Sequence, residues 1–420
     1  MSHRTRRSVV DMLPLLCLFA LIGVGSSSAA AQETDDLILA IEDVESFART
    51  SSPRLRTAAY EVDVVAAERT SALTWSNPAL AYDHEENDAF REWQFTLNKR
   101  IDRPLTRGRL SDAWDGRVRA AELRSLQAAR DVVADLKTGY VQVRLIESHQ
   151  GRLDRLAGLV DIAADVARSR HVEGELSGLD RRLIQLAAYT IETAENRARA
   201  QHERMLALWR ADMGVPASRS LVLSTPVAFR PVDLQDIGTY QGSLQSMPGD
   251  QAQVELARAL EVQADAARPR LVPGLEVYGG YKRLEPDLDG FVAGVALDLP
   301  LSGQGRGEAA RLRAERLIVE SALTADRARR EGEIAALVAS LSESQSLLAE
   351  FAADFDQNSL ADALSISYRE GAITLDELLG AIQIEAAAMD AHYADLATYY
   401  DNIFRLEALT GAKLVNFAPY

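Results

Sequence analysis

Two stretches of this chain, residues 105 to about 171 and 307 to about 368, read as single very long helices, and that length limits the fold more than any other feature. At 1.5 Å of rise per residue, each would extend on the order of 90–100 Å. No ordinary globule can hide such a helix, so each must bury its apolar stripe along a partner. Leu126, Ala129, Val133, Leu136, Tyr140 and Val143 recur at steps of three and four, the seam of a coiled coil. The seam shifts phase near Glu147 to Gly151 and resumes at Leu153, Leu156, Val160, Ala163 and Ala167. Ala, Leu, Glu, Asp and Arg dominate these stretches, a helix-forming composition. Periodicity alone fits a soluble coiled-coil rod equally well.

The chain also repeats itself. Pro53 and Pro248 each open a helical run, and Pro78 and Pro273 follow them at the same distance of 25 residues. Gly174 to Gly214 and Gly371 to Gly411 both span 40 residues. Several matched spacings in order point to an internal duplication with an offset of roughly 195 residues. Each copy reads as a helix of about 20 residues, two alternating segments, one very long helix, and a helix of about 35 residues. Gly214 and Gly411 stand where helix-ending glycines are expected, and Pro216 seconds the first stop. The domain reading is therefore 1–31 as an export signal, 32–215 as the first repeat and 216–247 as a linker or equatorial segment. The second repeat follows at 248–411, with a tail at 412–420.

The alternating segments argue for a membrane. Glu92 to Asn98 alternates polar and apolar without fault, and Phe291, Ala293, Val295, Leu297 and Leu299 share one side of their segment. Residues 78–84 and 273–282 alternate less strictly. Each segment is near the 9–11 residues of a tilted membrane strand. Short polar connections at 85–90 and 286–290 join them into one hairpin per copy, hence four strands per chain. No later stretch is apolar for long enough to form a spanning helix, so any crossing must be a closed barrel. Four strands cannot close one, whereas three chains supply twelve. Trp75, Tyr82, Trp93 and Tyr281 near the strand ends fit an aromatic girdle. A small soluble hairpin domain packed between helices would show the same alternation.

The first 31 residues read as an export signal. Arg4, Arg6 and Arg7 precede an apolar run from Leu13 to Val24, and Ala29-Ala30-Ala31 offers a cleavage site before Gln32. Cys17, the one cysteine, lies in that run, so the mature chain has no thiol and no disulfide. Leu16 and Pro14 stand where a lipidated cysteine needs other residues. The formal charge of −16 excludes a nucleic-acid partner, which needs a basic face.

At this point the sequence resembles the TolC-like outer-membrane efflux protein family over nearly all of the mature chain. The most specific stretch is Tyr368-Arg-Glu-Gly-Ala-Ile-Thr-Leu-Asp-Glu-Leu-Leu-Gly-Ala381, continuing to Leu406-Glu-Ala-Leu-Thr-Gly411. Val172-Glu-Gly-Glu-Leu-Ser-Gly-Leu-Asp180 resembles the matching turn of the first copy, and Leu297-Asp-Leu-Pro-Leu-Ser-Gly-Gln-Gly-Arg306 the strand-to-helix passage. The resemblance implies an α+β membrane protein with a long helical coiled-coil tunnel and a trimeric twelve-stranded barrel. It further implies a homotrimer in outer-membrane lipid, reaching into the periplasm. Its expected partners are a periplasmic adaptor and an inner-membrane RND or ABC transporter, with metal-cation, drug or protein export as the task.

Carried over residue by residue, Gly174, Leu176, Gly371 and Ile373 would form the adaptor-docking tips. Asp180, Asp376 and Glu377 would be the acidic entrance, where a ring of carboxylates draws cations. At Gly380 the sequence departs from TolC, which has a second acidic residue there. Acidic residues early in a helix are also simply favoured by its dipole, and the sequence supports both readings of Asp180 and Glu377 equally.

No catalytic constellation, cofactor loop or metal set emerges. Gly303-Gln-Gly-Arg-Gly307 lacks the last glycine of a dinucleotide fingerprint, that position being Glu308. The six histidines are scattered without ligand spacing. The expectation is a passive duct, not an enzyme. A periplasmic adaptor and a coiled-coil scaffold of the envelope are the alternatives, although an adaptor would carry one helical hairpin in a lipoyl-like β domain instead of two membrane-length hairpins.

Overall fold

The order helix, hairpin, long helix, helix runs twice along the chain. The computed structural model describes residues 36–86, 91–101, 106–172, 178–267, 274–285, 288–298, 305–354 and 359–417. The export signal expected at 1–31, with Cys17, lies outside them, as do Gly174 and Leu176. The short strand β1 (Leu37–Leu39) and helix α1 (Val44–Ser51) lead into α2 (Pro53–Leu73), whose first residue is a proline with no N–H to leave unsatisfied. The hairpin β2 (Ala79–Glu86) and β3 (Arg91–Ile101) follows. Then comes α3 (Arg107–Val172), 66 residues and about 99 Å long. Helix α4 (Gly178–Met213) returns beside it.

The segment 216–247, read above as a linker or equatorial segment, packs its strand and helix into the central apolar cluster. Its strand β4 (Leu221–Leu223) pairs in parallel with β1, and α5 (Ile237–Ser243) follows before a short 3₁₀ turn. Tyr140, fully buried midway along α3, ties this layer together. Its hydroxyl donates to the Leu39 carbonyl (3.0 Å) and accepts from the Thr225 N–H (2.8 Å). Trp209 of α4 donates its indole N–H to the Leu136 carbonyl at 2.7 Å. That approach needs Gly139, where an added Cβ would stand 2.5 Å from the Trp209 ring.

The second half begins with α6 (Pro248–Ala267), then β5 (Gly274–Glu285) and β6 (Leu288–Asp298). The second long helix is described in two parts, α7 (Arg306–Asp354) and α8 (Ser359–Arg369), where the sequence reading expects one run over 307–368. Residues 355–358 lie outside the described residues. Helix α9 (Leu375–Thr410) closes the fold and stops at Gly411, with φ of 74°.

The coiled-coil seam is part right. Leu136, Tyr140, Val143, Leu153, Leu156, Val160, Ala163 and Ala167 are buried, whereas Leu126 faces outward, 52% exposed. Among the described residues two large apolar clusters run along the long helices, with a small third one around Leu260, Ala264 and Leu312 between α6 and α7. Of the large ones, one is central, around Tyr140, Tyr399, Tyr400 and Phe404; the other lies toward the α3–α4 and α8–α9 turns, around Leu156, Ile184, Tyr368 and Leu378. Among the described residues no helix is long and apolar enough to cross a membrane.

Candidate functional site

The four long strands form one antiparallel sheet in the order β2-β3-β5-β6, so the two hairpins join through β3 and β5. Because side chains alternate across a strand, the register assigns each residue to a face. Leu80 and Tyr82 of β2, Trp93, Phe95 and Leu97 of β3, Leu275, Val277 and Tyr281 of β5, and Phe291, Val295 and Leu297 of β6 share one face. The other face carries Asp83, Glu92, Gln94, Thr96, Asn98 and Lys282, with small residues such as Ala81, Gly290, Gly294 and Ala296. Lys282 and Glu92 form an ion pair there at 2.6 Å.

The apolar face is uncovered. Phe291 is 92% exposed and Leu80 74%, with Tyr82, Leu97, Val295 and Leu297 also exposed. A contiguous apolar surface of this kind marks contact with a lipid or a partner. The register also builds a feature invisible in single strands. Tyr82 lies opposite Phe95, Phe95 opposite Tyr281, and Tyr281 opposite Phe291, so one aromatic row crosses all four strands. Ring centroids are 4.7 Å apart for Tyr82 and Phe95 and 6.1 Å for Tyr281 and Phe291, and Trp93 sits 5.7 Å from both Phe95 and Tyr281. Of the aromatics expected to form a girdle, Tyr82, Trp93 and Tyr281 do join this row. Trp75 does not; it stands at the helix end of the sheet under the Arg107 guanidinium. Phe95 and Phe291 complete the row and stand outside the expected girdle, because the alternation of each strand is legible in the sequence but the pairing between strands is not.

The tip at the α8–α9 turn is built by short-range hydrogen bonds. Gly371 adopts φ of 74°, a left-handed conformation that suits glycine, and the Ala372 N–H donates back to the Ser367 carbonyl at 2.8 Å. Thr374 then caps α9. Its hydroxyl accepts from the Glu377 N–H at 3.3 Å, and the Glu377 carboxylate accepts from the Thr374 N–H at 2.8 Å, a reciprocal capping box. The Thr374 N–H and hydroxyl hold the Glu377 carboxyl below its usual range. Asp376 is exposed in the same first turn, Gly371 is exposed, and Ile373 is half-buried against the lower cluster. Asp180 lies in the first turn of α4, and its side chain is outside the described residues. The structure thus brings Gly371, Ile373, Asp376 and Glu377 to one turn, while Gly174 and Leu176 lie outside the described residues. Among the described residues no group of three His, Cys, Asp or Glu could hold a metal ion.

No family model matches this chain, and no curated protein matches it in sequence. Solved structures do match. The crystal structures of CusC, reported with conformational changes accompanying folding and transmembrane channel formation, align over 89% of this chain and 92% of that one, at TM-score 0.69 and 15% identity. The outer-membrane channel OprN aligns over 88% and 89% at TM-score 0.71 and 15% identity. The CmeC outer membrane channel of Campylobacter jejuni aligns over 88% and 85% at TM-score 0.69 and 14% identity. At such identities the likeness is one of fold, and the chain has the fold of these channel proteins.

Proposed function

We propose that this chain is one protomer of an outer-membrane channel-tunnel, exported by the signal at 1–31 and acting as the passive exit duct of a tripartite efflux pump or type I secretion system. The observation that carries the reading is the four-stranded sheet, apolar on one face and polar on the other, set on helices of tunnel length. Its outer strands β2 and β6 have no strand partner on their far sides among the described residues. Free strand edges are not tolerated in lipid. Strand β2 runs away from the helices and β6 runs back, so β6 of one protomer against β2 of the next continues the antiparallel alternation. A head-to-tail contact of this kind closes into a ring. Three protomers give twelve strands, with the apolar faces toward lipid and the polar faces around a pore.

In that trimer the two turns of each chain make six tips. Gly174, Leu176, Gly371 and Ile373 would meet the hairpins of a periplasmic adaptor, and Asp180, Asp376 and Glu377 would line the entrance. An inner-membrane RND or ABC transporter supplies the energy, and the exported substrate is chosen there. The repeated element order supports descent of the two halves, 32–215 and 248–411, from one duplicated unit.

Fractionation of the producing cells tests this reading. A heat-modifiable trimer in the outer membrane is the expected result; a soluble periplasmic species overturns it.

A further inference from the structure

At the helix end of the sheet, the apolar face stops at a pair of cations. Leu80 and Leu97 are register partners on that face, 74% and 55% exposed. Two residues beyond Leu97, about 7 Å along the strand, the same face carries Lys99. The Lys99 ammonium folds onto the Ser76 carbonyl. One residue before Ser76 stands Trp75, 41% exposed, with the Arg107 guanidinium 4.0 Å above its ring centroid. Arg107 also donates to the Leu73 carbonyl at the end of α2. So the end of one helix, the entry to β2, the end of β3 and the start of α3 converge on two positive charges and one indole.

Both cations are held by backbone carbonyls, which fix their positions without neutralising them. Among the described residues neither Lys99 nor Arg107 pairs with a carboxylate. An ammonium has three donors and a guanidinium five, so both retain capacity for an anion. The guanidinium stacked on Trp75 keeps its planar edge for a bidentate oxyanion. An exposed tryptophan next to cations at the border of an apolar band is the arrangement that membrane interfaces select.

We propose that Lys99, Arg107 and Trp75 bind the phosphate of an anionic phospholipid, whose acyl chain lies over Leu80 and Leu97. Charge complementarity selects the anion, and the apolar pair beside it selects a lipid over a free phosphate ion. This rests on the membrane-spanning reading of the sheet, which it deepens by naming a headgroup at its inner border. The site ties the barrel end of each protomer to the helices below through a lipid clamped between α2, β3 and α3.

The test uses the full chain in nanodiscs of mixed phosphatidylglycerol and phosphatidylcholine, with the lipids retained on delipidation measured by mass spectrometry. The wild type retains phosphatidylglycerol above its share of the mixture. The Lys99→Gln/Arg107→Gln variant falls to that share, while Lys99→Arg/Arg107→Lys, which keeps both charges, holds the enrichment. Inorganic phosphate leaves the retained lipid in place. Equal enrichment in wild type and glutamine variant overturns the site. So does loss of the enrichment in the charge-preserving variant, which would assign these residues to packing alone, and displacement by phosphate would make it a free-anion site. A wild type that does not enter the nanodisc overturns the membrane reading itself, an outcome distinct from the others.

Discussion

Ser52 donates its side-chain hydroxyl to the main-chain carbonyl of Asp212 at 2.7 Å, across 160 residues of sequence. Its neighbour Ser51 does the same to Met213, also at 2.7 Å. The last carbonyls of α4 are therefore satisfied by Ser51, which ends α1, and Ser52, which precedes α2, and α4 and α2 meet end to end. Gly214, with φ of 74°, makes the turn that allows it. The second half repeats the meeting at Gly411, which lies against Met247 just before α6, without the serine pair. Two helices of ordinary length thus run on as one long element beside α3.

Removing that splice weakens the packing of α2 and α4 along α3. Ser52 is buried, so Ser52→Ala leaves the Asp212 carbonyl without its partner and costs about 1–2 kcal/mol. Gly214→Ala costs more, because the new Cβ would stand 2.2 Å from the Ser51 carbonyl oxygen in a left-handed backbone. Urea unfolding followed by helical circular dichroism reads both losses, with Gly214→Ala showing the lower midpoint.

Asp250 is the one carboxylate described as fully buried, and two arginines of α7 hold it. Arg327 Nε lies 2.5 Å and Arg330 Nη1 2.7 Å from its oxygens. Asp250→Ala strands both guanidiniums against the α6–α7 contact and costs about 3 kcal/mol, the lower end of the usual range because both arginines keep some solvent. In the Asp250→Ala background, Arg330→Ala should add little. A double-mutant cycle in urea measures that coupling, and simple additivity of the two losses would show that the pair is not energetically linked.

Much of this fold is legible in the sequence because its signals are local. Helix α2 opens at Pro53 and runs for 21 residues, as the reading of a helix of about 20 residues expects, and both hairpins announce themselves through period-two alternation such as Glu92 to Asn98. What could not be read depends on residues far apart. Strands β1 and β4 have three residues each and exist because Leu37 meets Leu221, a pairing no local pattern encodes. The aromatic row needs the β3–β5 register, and the splice needs Ser52 to meet Asp212. At the tip, the spacing of Thr374 and Glu377 signals a capping box in sequence, but its reciprocal hydrogen bonds become visible only with the side chains in place.

Two half-buried histidines, His149 of α3 and His392 of α9, should make the fold acid-sensitive. Burial holds both His149 and His392 below the ordinary value of 6.5. Asp390, 2.8 Å from His149 Nε2, and Asp395, near His392, pull upward, while Arg152 pushes His392 further down. A depressed histidine stabilises the fold above its unfolded value and loses that contribution as pH falls through the folded one. Buried Glu385 works with the opposite sign, since burial raises its carboxyl against the pull of Arg152 and Arg155. The melting temperature should therefore fall as pH drops below about 6.5. The slope should flatten in His149→Gln/His392→Gln. Differential scanning calorimetry between neutral and mildly acid pH measures it, and parallel slopes in the two proteins would remove the histidines from the account.

The acidic entrance can be separated from helix capping because glutamine serves as well as glutamate at the third position of a capping box. Glu377→Gln keeps the hydrogen bond with Thr374 and removes the charge, so the stability of α9 should be preserved. Thr374→Ala does the reverse, weakening the start of α9 by about 1 kcal/mol while leaving the carboxylate in place. If Asp180 and Glu377 form the proposed ring, Asp180→Asn/Glu377→Gln lowers cation selectivity in planar bilayers at unchanged melting temperature. Thr374→Ala should keep the selectivity. Selectivity that survives the amide pair would leave Glu377 with its structural task alone: holding the Thr374 end of α9 beside the Gly371 turn.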